Sequence, residues 1–374
     1  MKINKLVFKS QQWIIVEEEI PISDTVDILF VFGDIDILKK HHHTSLLQKI
    51  YPTASIVGCS TAGNILDTTV NAYEAVATAI SFDKAYVKVL ATNLMQDDIY
   101  HNTKTVTNSL EKENLKHLFL LAPGLINASE VINGLNLPNN VTVSGGLAGD
   151  DYKFENTYLF TDKIAGESIL IVVGFYGDSL HTSIGCNTGW NEFGATRIVT
   201  KAKKNIIYEI DNKPAIELFK KYLGDKISDL PNSAIRFPLN IKENINDKNH
   251  IVLVMMDINS DGSFLFGGDI KEGSIVKLMK TNVSNLLEGA AYSAKEIIHY
   301  NDKTSLSLTL SCSARKIVLK QFAQEEIEIV KNFLPSNTQI VGFYSYGEIA
   351  PFSSNLFKPL LHNQTMTITT IYED

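Results

Sequence analysis

Two charged side chains follow predicted buried strands and could act on the same ligand. Arg315, within SCSAR, follows a predicted strand at 305–311, and Glu348, within YGEI, follows one at 338–343. A guanidinium binds a carboxylate through paired hydrogen bonds, and a carboxylate accepts hydrogen bonds from an ammonium. The pair therefore matches the two polar ends of an amino acid. Alternatively, Arg315 and Glu348 neutralise each other as a structural ion pair.

A glycine pattern recurs three times along the chain. VGCSTAGNI begins at Val57, VGFYSYGEI begins at Val341, and a shorter copy, VSGGLAGD, begins at Val143. Each copy follows a predicted strand and places a glycine six residues after its valine. Glycine lets the backbone approach a neighbour closely or take a positive φ. The copies are either tight turns that hold sheet ends together or, since they are three, parts of one ligand cleft.

The glycine turns would add smaller groups to that cleft. Their backbone N–H groups could donate to a ligand carboxylate, Asp150 could accept from an ammonium, and two tyrosines could form a wall. Besides Arg315 and Glu348, the predicted ligand-binding residues are Cys59, Ser60, Thr61, Gly63, Gly145, Gly146, Asp150, Tyr344, Tyr346 and Asn363.

Cys59 also allows a nucleophile hypothesis, because a thiol beside unpaired backbone amides has a lowered pKa. A catalytic cysteine needs a base within reach, however, and a buried cysteine is an ordinary small apolar residue. The sequence contains no Walker loop, HExxH, GxSxG or dinucleotide fingerprint. We therefore expect a binding module rather than an enzyme, with no catalytic residue and no metal site.

The composition favours an ordinary globular protein. The 374 residues include 44% hydrophobic and 20% charged residues, with a net charge of −8 and scattered basic residues. This charge gives no reason to expect nucleic acid or a membrane as partner. Three widely spaced cysteines form no disulfide or metal pattern, and the first residues lack a signal peptide. We expect a cytoplasmic protein.

Short apolar runs alternate with segments of helical period, which is typical of an α/β (α+β) fold. We predict mixed sheets flanked by helices in two pseudo-related domains, 1–200 and 201–374. The boundary is placed near residue 200 because the composition changes there to the charged stretch KAKKN. Beyond those already given, strands are predicted at 27–32, 55–58, 70–80, 86–91, 118–122, 141–143, 167–176, 180–185, 251–256, 274–279 and 364–372. Helices are predicted at 46–50, 103–115, 128–137, 214–224, 283–299 and 324–334.

Several of these motifs together resemble the N-terminal and C-terminal domains of FIST-domain proteins, in that order. The match rests on GCSTAG, SGGLAGDD, the segment from GATRIV to KKYLG, DINSDGSFLFGGDIKEGSIVKLM, SCSARK, VGFYSYGEIAP and LHNQTMTI. These stretches span most of residues 25–374, and no single motif carries the resemblance.

The resemblance implies a sensory module that binds a small ligand, with an amino acid or similar metabolite as the proposed class. We expect the ligand in a cleft between the two domains. The sequence has no kinase or cyclase segment, so we expect a signal in trans to a protein such as a histidine kinase or a cyclic-di-GMP enzyme.

The resemblance also allows a haem cofactor, since some FIST-domain proteins are haem-binding nitric oxide sensors. A haem needs an axial ligand, commonly histidine. His362, within LHNQT, is the candidate because it lies in a motif that matches the family. Its alternative role is to hydrogen-bond a strand end beside Asn363. The first hypothesis requires no cofactor.

Overall fold

The computed structural model describes residues 1–21, 25–223, 232–247, 249–298 and 303–374. Its strands are β1 (Lys2–Lys9), β2 (Gln12–Glu17), β3 (Ile28–Gly33), β4 (Ser55–Ser60), β5 (Asn64–Leu66), β6 (Thr69–Val70), β7 (Ala75–Ser81), β8 (Tyr86–Asn93), β9 (Leu115–Ala122), β10 (Thr142–Leu147), β11 (Leu159–Thr161), β12 (Ala165–Gly166), β13 (Ile169–Tyr176) and β14 (Leu180–Asn187). They continue as β15 (Asn191–Lys203), β16 (Ile206–Ile210), β17 (Lys213–Pro214), β18 (Leu239–Lys242), β19 (Ile251–Leu253), β20 (Met255–Ile258), β21 (Phe264–Phe266), β22 (Ile275–Lys280), β23 (Ser305–Cys312), β24 (Thr338–Ser345), β25 (Glu348–Phe352), β26 (Asn355–His362) and β27 (Met366–Glu373).

The helices are α1 (Ile35–Lys40), α2 (His43–Ile50), α3 (Ile99–Asn108), α4 (Ala128–Gly134), α5 (Ala215–Leu223), α6 (Val283–Lys295), α7 (Ser313–Leu319) and α8 (Ala323–Phe333). Short 3₁₀ turns cover Gln96–Asp98, Asn232–Arg236 and Lys320–Phe322. Local sequence explains several ends: the Asn282 side chain, for example, caps α6 by accepting from the Asn285 N–H at 2.9 Å. In the described part of the chain, no helix has both the length and the apolar character needed to cross a bilayer.

The strands form four sheets. Sheet I has the order β12-β11-β4-β3-β7-β1-β2, sheet II β26-β25-β10-β9-β13-β8, sheet III β14-β27-β23-β24-β5-β6, and sheet IV β19-β18-β22-β15-β16-β21-β20 with β17 beside β16. Sheets I, II and III each contain one parallel pair, respectively β3 with β4, β9 with β10, and β23 with β24. The predicted class, α/β with mixed sheets flanked by helices, is confirmed.

Sheets I, II and III pack around one core. Strand alternation in β3 turns Phe30 and Phe32 inward and Leu29 outward under the first helices. Phe30 meets Phe119 of sheet II at a centroid distance of 5.7 Å, and Phe32 meets Phe343 of sheet III at 4.7 Å. The outer faces of sheets II and III pack under α3 and α4 and under α6 and α8. The three sheets thus form a body with a shared apolar centre and helices outside.

The three glycine copies lie where the chain passes from one sheet to the next. After β4 of sheet I the chain enters β5, which pairs with β24 of sheet III. After β24 it enters β25, which pairs with β10 of sheet II. After β10 it reaches β11, which pairs with β4 of sheet I. Each copy is therefore followed by a strand that pairs with the neighbouring sheet. The three connections run from sheet I to sheet III, from sheet III to sheet II and from sheet II back to sheet I.

Backbone hydrogen bonds join the three copies directly. The Gly149 N–H donates to the Ser60 carbonyl at 2.9 Å, the Ala62 N–H to the Tyr344 carbonyl at 2.9 Å, and the Leu147 N–H to the Gly347 carbonyl at 2.8 Å. Every pair of copies shares at least one such bond. The three copies therefore converge in space, and they contact one another through backbone N–H and carbonyl groups.

Sheet IV and α5 occupy residues 191–280, between β14 and α6. This layer is attached to the body at α4, where the Ala128 N–H donates to the Gly267 carbonyl at 3.0 Å and Asn127 Nδ2 donates to Asp269 at 2.7 Å. The strand β15 runs through residue 200, and sheets II and III contain strands from both sides of it. The two predicted parts thus share sheets, and the division near residue 200 stays a prediction.

We expect Gly342→Ala, in the third glycine copy, to lower the free energy of unfolding by about 1–3 kcal/mol or more, the usual cost of overpacking. A Cβ on Gly342 would lie 1.7 Å from the Thr309 carbonyl oxygen of the parallel neighbour β23. Gly267→Ala is the matched control, since its Cβ would meet only ordinary contacts at 3.8 Å. Urea unfolding measures both variants, and equal stability of the two would contradict the close approach.

Candidate functional site

A pocket of about 320 Å³ lies between the end of the three-sheet body and sheet IV. We call it the motif pocket because SCSARK, VGFYSYGEIAP and LHNQT each contribute to its wall. Its volume lies at the small end of the range for ligand sites, roughly 300–1,000 Å³. The lining residues are Phe154, Ile235, Val254, Met255, Met256, Asp257, Cys312, Ser313, Ala314, Ile317, Tyr346 and Asn363.

The chemistry of this wall is mainly apolar. Among the lining residues that the structure describes, Asp257 carries the one formal charge, and it is exposed at the mouth of the pocket. Met255 and Met256 supply flexible thioether side chains that adapt to different apolar shapes. The pocket therefore suits a small apolar body with one polar or cationic end near Asp257.

Asn363 fixes the two layers that enclose the pocket. Its Nδ2 donates to the Tyr346 carbonyl at 3.0 Å, and its Oδ1 accepts from the Val254 N–H at 3.1 Å. Its own N–H donates to the Val252 carbonyl at 2.8 Å. The side chain is buried and its hydrogen bonds tie sheet IV to the third glycine copy. Asn363 thus lies in the wall, as part of the predicted site, but its amide binds the protein itself.

Asp150 organises a loop over the pocket. Its carboxylate accepts from the backbone N–H groups of Phe154, Glu155 and Asn156 at 2.8–3.0 Å, and from the Tyr346 hydroxyl. Burial alone would raise the pKa of Asp150, yet these hydrogen bonds hold it below its ordinary value. Asp150 is therefore an ionised loop anchor whose oxygens already have donors.

The loop that Asp150 anchors has an unusual backbone. Asp151, Tyr152 and Phe154 all have positive φ, between 53° and 67°, although none is glycine. Such strain costs about 1 kcal/mol or more at each residue and concentrates at functional sites. The Phe154 ring stacks on the Tyr346 ring at 4.6 Å, and both rings line the pocket. The loop therefore places the Phe154 ring in the wall of the motif pocket.

Arg315 lies behind the pocket in a fully saturated ion pair. Its Nε donates to Glu326 Oε1 at 2.8 Å, and one Nη donates to the same oxygen at 2.6 Å. The remaining N–H groups donate to the carbonyls of Leu286, Thr188 and Gln364. All five guanidinium N–H groups have protein acceptors, and the side chain is wholly buried. The structure pairs Arg315 with Glu326 and does not bring it into contact with Glu348.

Glu326 completes this network from α8. Its Oε2 accepts from Ser311 Oγ at 2.9 Å and from the Tyr344 hydroxyl at 3.0 Å. Sequence reasoning missed Glu326, although a signal was present. It lies between Ala323, Ile327 and Val330 on the buried face of α8, and a carboxylate on an apolar helix face needs a buried partner. Tyr344 belongs to this ion-pair network and is not among the residues that line the motif pocket.

Glu348 is also wholly buried, but no cation among the described residues is in contact with it. Its carboxyl group accepts from Ser345 Oγ at 2.5 Å, from Thr365 Oγ1 at 2.7 Å and from the Thr365 N–H at 3.2 Å. Burial raises the pKa of Glu348 to about 8. Glu348 is therefore protonated at neutral pH for most of the time and is enclosed away from the motif pocket.

The glycine-turn amides predicted to bind a carboxylate are engaged by the protein. The N–H groups of Ser60 and Thr61 donate to the carbonyls of Tyr158 and Gly33, and the Gly63 N–H donates to Thr61 Oγ1 at 3.1 Å. Gly145 and Gly146 lie within β10, paired on both sides with β9 and β25. The structure places all of these residues at the junction of the sheets, next to the motif pocket but outside its wall.

Cys59 faces the apolar centre of the body. It is fully buried on β4, and burial raises the pKa of its thiol far above the ordinary value. Because the thiolate is the reactive form, this environment disfavours a nucleophile. Cys312 lines the motif pocket, where burial again raises the thiol pKa.

His362 lies in the wall of a second, larger cavity. Its Nε2 pairs with the Ala350 carbonyl across the β25–β26 hairpin at 3.1 Å, and its ring meets Phe352 at 5.1 Å. Burial lowers the pKa of His362 to about 4, so the imidazole is neutral at physiological pH. Within the described residues, no group of three or more potential metal ligands is found.

Comparison with known proteins matches the FIST N domain to residues 27–213 and the FIST C domain to residues 215–351. An uncharacterized protein of Methanocaldococcus jannaschii is 21% identical over 365 residues, covering 86% of this chain and 69% of that protein. A crystal structure of cyanuric acid hydrolase from A. caulinodans aligns with a TM-score of 0.38 and 6% identity, over 100% of this chain and 98% of the other. A similarity that weak shows neither a shared fold nor a shared activity.

The two domain models together cover most of the chain, and they occur in the order that the motifs indicate. FIST domains are sensory domains that bind small ligands. The chain therefore belongs to the FIST family.

Proposed function

We propose that this protein senses a small metabolite with an apolar body and an amino group, an apolar amino acid being the expected class. The observation that carries the proposal is the motif pocket, a partly open and mainly apolar space of about 320 Å³ whose lining includes one carboxylate, the exposed Asp257. An ammonium beside Asp257 would gain a charge-assisted hydrogen bond while the apolar body is removed from water.

The polar ends of the ligand are then recognised differently from the way the sequence predicted. Arg315 has no free N–H for a ligand carboxylate, and Glu348 is enclosed. Asp257 supplies the charge for the amino end. Ser313 supplies a hydroxyl at the wall, and this hydroxyl forms no hydrogen bond to the described residues. We therefore expect the pocket to bind an amine more tightly than a carboxylate.

The loop anchored by Asp150 would transmit the signal by changing its conformation when a ligand binds. Phe154 and Tyr346 touch the ligand space, whereas Lys153 and Glu155 on the same loop are exposed. A ligand that displaces or locks the Phe154 ring changes the position of these exposed residues. We propose that a separate signalling protein, such as a histidine kinase or a cyclic-di-GMP enzyme, reads that change in trans.

A thermal-shift screen with the twenty amino acids tests the ligand class. A ligand at a thousandfold excess over its Kd stabilises by about 4 kcal/mol, and each kcal/mol raises Tm by roughly 2–4 °C. We expect apolar amino acids to give the shift. Leucine, 3-methylbutylamine and 4-methylpentanoate then form a matched trio, in which the amine retains binding and the acid loses it. Tighter binding of the acid than of the amine, or no Tm shift with any of the twenty amino acids, overturns the proposal.

Two variants assign the ligand to the motif pocket. Ile317→Trp fills the space with a larger ring, and we expect it to abolish the leucine shift; Asp257→Asn should weaken binding roughly tenfold by removing the charge-assisted bond. Ile198→Trp, on an exposed position of β15, and Asp97→Asn, an exposed carboxylate, are the matched controls. Ligand shifts that survive in both pocket variants place the ligand elsewhere.

Hydrogen exchange tests the output loop. The N–H groups of Phe154, Glu155 and Asn156 are hydrogen-bonded to Asp150, so their exchange reports how well the loop is held. We expect leucine, or whichever amino acid gives the shift, to slow exchange in this loop in particular. Exchange that is unchanged here but slowed elsewhere would exclude the loop as the route of the signal.

A haem fits poorly around His362. Its Nε2 already bonds the Ala350 carbonyl, and two glutamates and several asparagines line the adjacent cavity where a largely apolar macrocycle would lie. His362 is therefore not expected to ligate a haem iron. A Soret band on haemin addition that disappears in His362→Ala would restore the gas-sensor alternative.

A further inference from the structure

Strand β8 forms one edge of sheet II, and this edge is open in the described structure. β8 pairs with β13 on one side and has no strand on the other. Within the described part of the chain, no backbone hydrogen bond joins residues 86–92 to any segment other than β13. Such an edge presents a row of unpaired N–H and carbonyl groups that can pair with a further strand.

β8 is also long and regular. Its eight residues pair with β13 without a register shift, from Tyr86 opposite Tyr176 to Asn93 opposite Ile169. It contains no proline, and Lys88 is its one charged residue. The Lys88 ammonium bonds Glu111 and lies 5.7 Å from the centroid of the Tyr176 ring, so it leans towards β13 and away from the open edge. β8 therefore lacks the bulge, proline or outward charge by which proteins usually block pairing at an edge.

The other edges of the four sheets are all blocked. β12 and β6 have two residues each, and β19 has three. The pairing of β2 with β1, of β26 with β25 and of β20 with β21 contains a register shift. β14 packs against α6, whose Glu296 accepts from the Cys186 N–H at 3.0 Å. Among the described strands, β8 alone is a long, regular and uncovered edge.

Apolar side chains of β8 are incompletely covered. Val87, Val89 and Ala91 share the face directed to the apolar centre of the body, and each is only partly buried. Leu90, on the face towards α3, is also partly buried. A neighbouring strand with similar side chains would cover the exposed remainder on both faces.

We propose that β8 pairs with β8 of a second copy of this chain, antiparallel about a two-fold axis at Val89. In this register Val89 lies opposite Val89 of the second copy, and Val87 lies opposite Ala91. Opposed apolar and β-branched side chains are favourable cross-strand pairs. The two copies of sheet II then form one continuous sheet across the dimer.

The charges favour a second copy as the occupant. Each copy brings one Lys88–Glu111 ion pair to the α3 face, so the two pairs flank the axis with equal numbers of both signs. Lys88 lies opposite Leu90 of the second copy, so like charges are not directly opposed. The same strand serves on both sides of the axis, and the assembly therefore closes as a dimer. This proposal goes beyond ligand sensing, since no residue of β8 lines the motif pocket.

Light scattering during size-exclusion chromatography tests the assembly. We expect a dimer of twice the 41.5 kDa of one chain. Val89→Lys places two like charges opposite each other at the axis, so the dimer should be lost. Val16→Lys, at a 52% exposed position on the edge strand β2, is the matched control and should remain dimeric. A monomeric parent, an assembly larger than a dimer, or a dimeric Val89→Lys protein overturns the proposal.

Disulfide trapping locates the axis without a destabilised variant. Directly opposed Cβ atoms of an antiparallel pair lie about 4.5–5.5 Å apart, close to the roughly 3.5–4.5 Å of a disulfide. Val89→Cys should therefore give a disulfide-linked dimer on mild oxidation, whereas Val16→Cys and the parent should not. Of the native cysteines, Cys59 and Cys312 are buried and Cys186 is partly buried.

A dimeric Val89→Cys protein that forms no disulfide would place the interface elsewhere and refute pairing at β8. Both measurements are made without an amino acid. Failure of the dimer is therefore distinguishable from failure of the proposed ligand sensing.

Discussion

Replacement of Arg315 by alanine should lower the free energy of unfolding by about 3–5 kcal/mol, the cost of leaving a buried charge without its partner. Arg315 and Glu326 are both fully buried and joined at 2.6 Å. Without the guanidinium, the Glu326 carboxylate keeps two hydroxyl donors among the described residues, in an apolar setting. Urea unfolding at neutral pH measures the loss.

A partly exposed pair provides the comparison. Arg197 bonds Asp211 at 2.8 Å with 27% of its side chain exposed, so Arg197→Ala should cost less than about 1 kcal/mol. Replacing both members of the buried pair, as Arg315→Met with Glu326→Leu, should cost less than Arg315→Ala alone. An Arg315→Ala protein of normal stability that no longer binds the amino acid would instead establish Arg315 as a ligand-binding residue, as the sequence alone predicted.

Glu348→Gln should stabilise the protein increasingly as the pH rises from about 5 to 8. The pKa of this carboxyl is about 8 in the folded protein against an ordinary value of 4.5. Between these values the unfolded chain loses the proton while the folded chain keeps it, so folding stability falls with pH. The slope is about 1.4 kcal/mol per pH unit, and the total is up to about 5 kcal/mol. Glutamine removes this penalty and retains a donor and an acceptor.

Glu373 gives the opposite sign and serves as the control. Burial favours its neutral form, but N–H groups of Asp83, Lys84 and Ala85 donate to it and hold its pKa below the ordinary value. Glu373→Gln should therefore destabilise the protein at neutral pH, and the deficit should shrink in acid. Urea midpoints at pH 5.5 and 8 compare Glu348→Gln with the parent, and midpoints at pH 7 and at a pH below 4.5, the ordinary pKa of the carboxyl, compare Glu373→Gln with the parent. A Glu348→Gln effect independent of pH would show that Glu348 is ionised in the folded protein.

Local patterns predicted most of the regular elements. Buried strands such as 27–32, 118–122 and 364–372 carry apolar β-branched runs, and these agree with β3, β9 and β27. The predicted strand 251–256 is divided at Val254 into β19 and β20, and 70–80 is interrupted between β6 and β7. Helix 283–299 is observed as Val283–Lys295, and its predicted end at His299 lies outside the described residues.

The site was predicted less completely than the fold. The glycine repeats indicated that three distant segments meet, but the sequence could not show that their amides bond to each other. Nor could it show that Arg315 pairs with Glu326, since an ion pair between α7 and α8 depends on how the chain turns after β23. Phe154, Met255 and Ile317 come from three separate segments. Only their tertiary arrangement makes them a pocket, so local sequence gave no signal for it.

The exchange of edge strands among the three sheets has a consequence for how the chain is made. Sheet III needs β27, the last strand, to pair with both β14 and β23, and sheet II needs β25 beside β10. A nascent chain that has emerged only as far as residue 213 therefore has exposed sheet edges with no partner yet synthesised. Such long-range pairing slows folding. We expect the two named domains to behave as one cooperative unit after translation ends, with holdase chaperones covering the open edges until then.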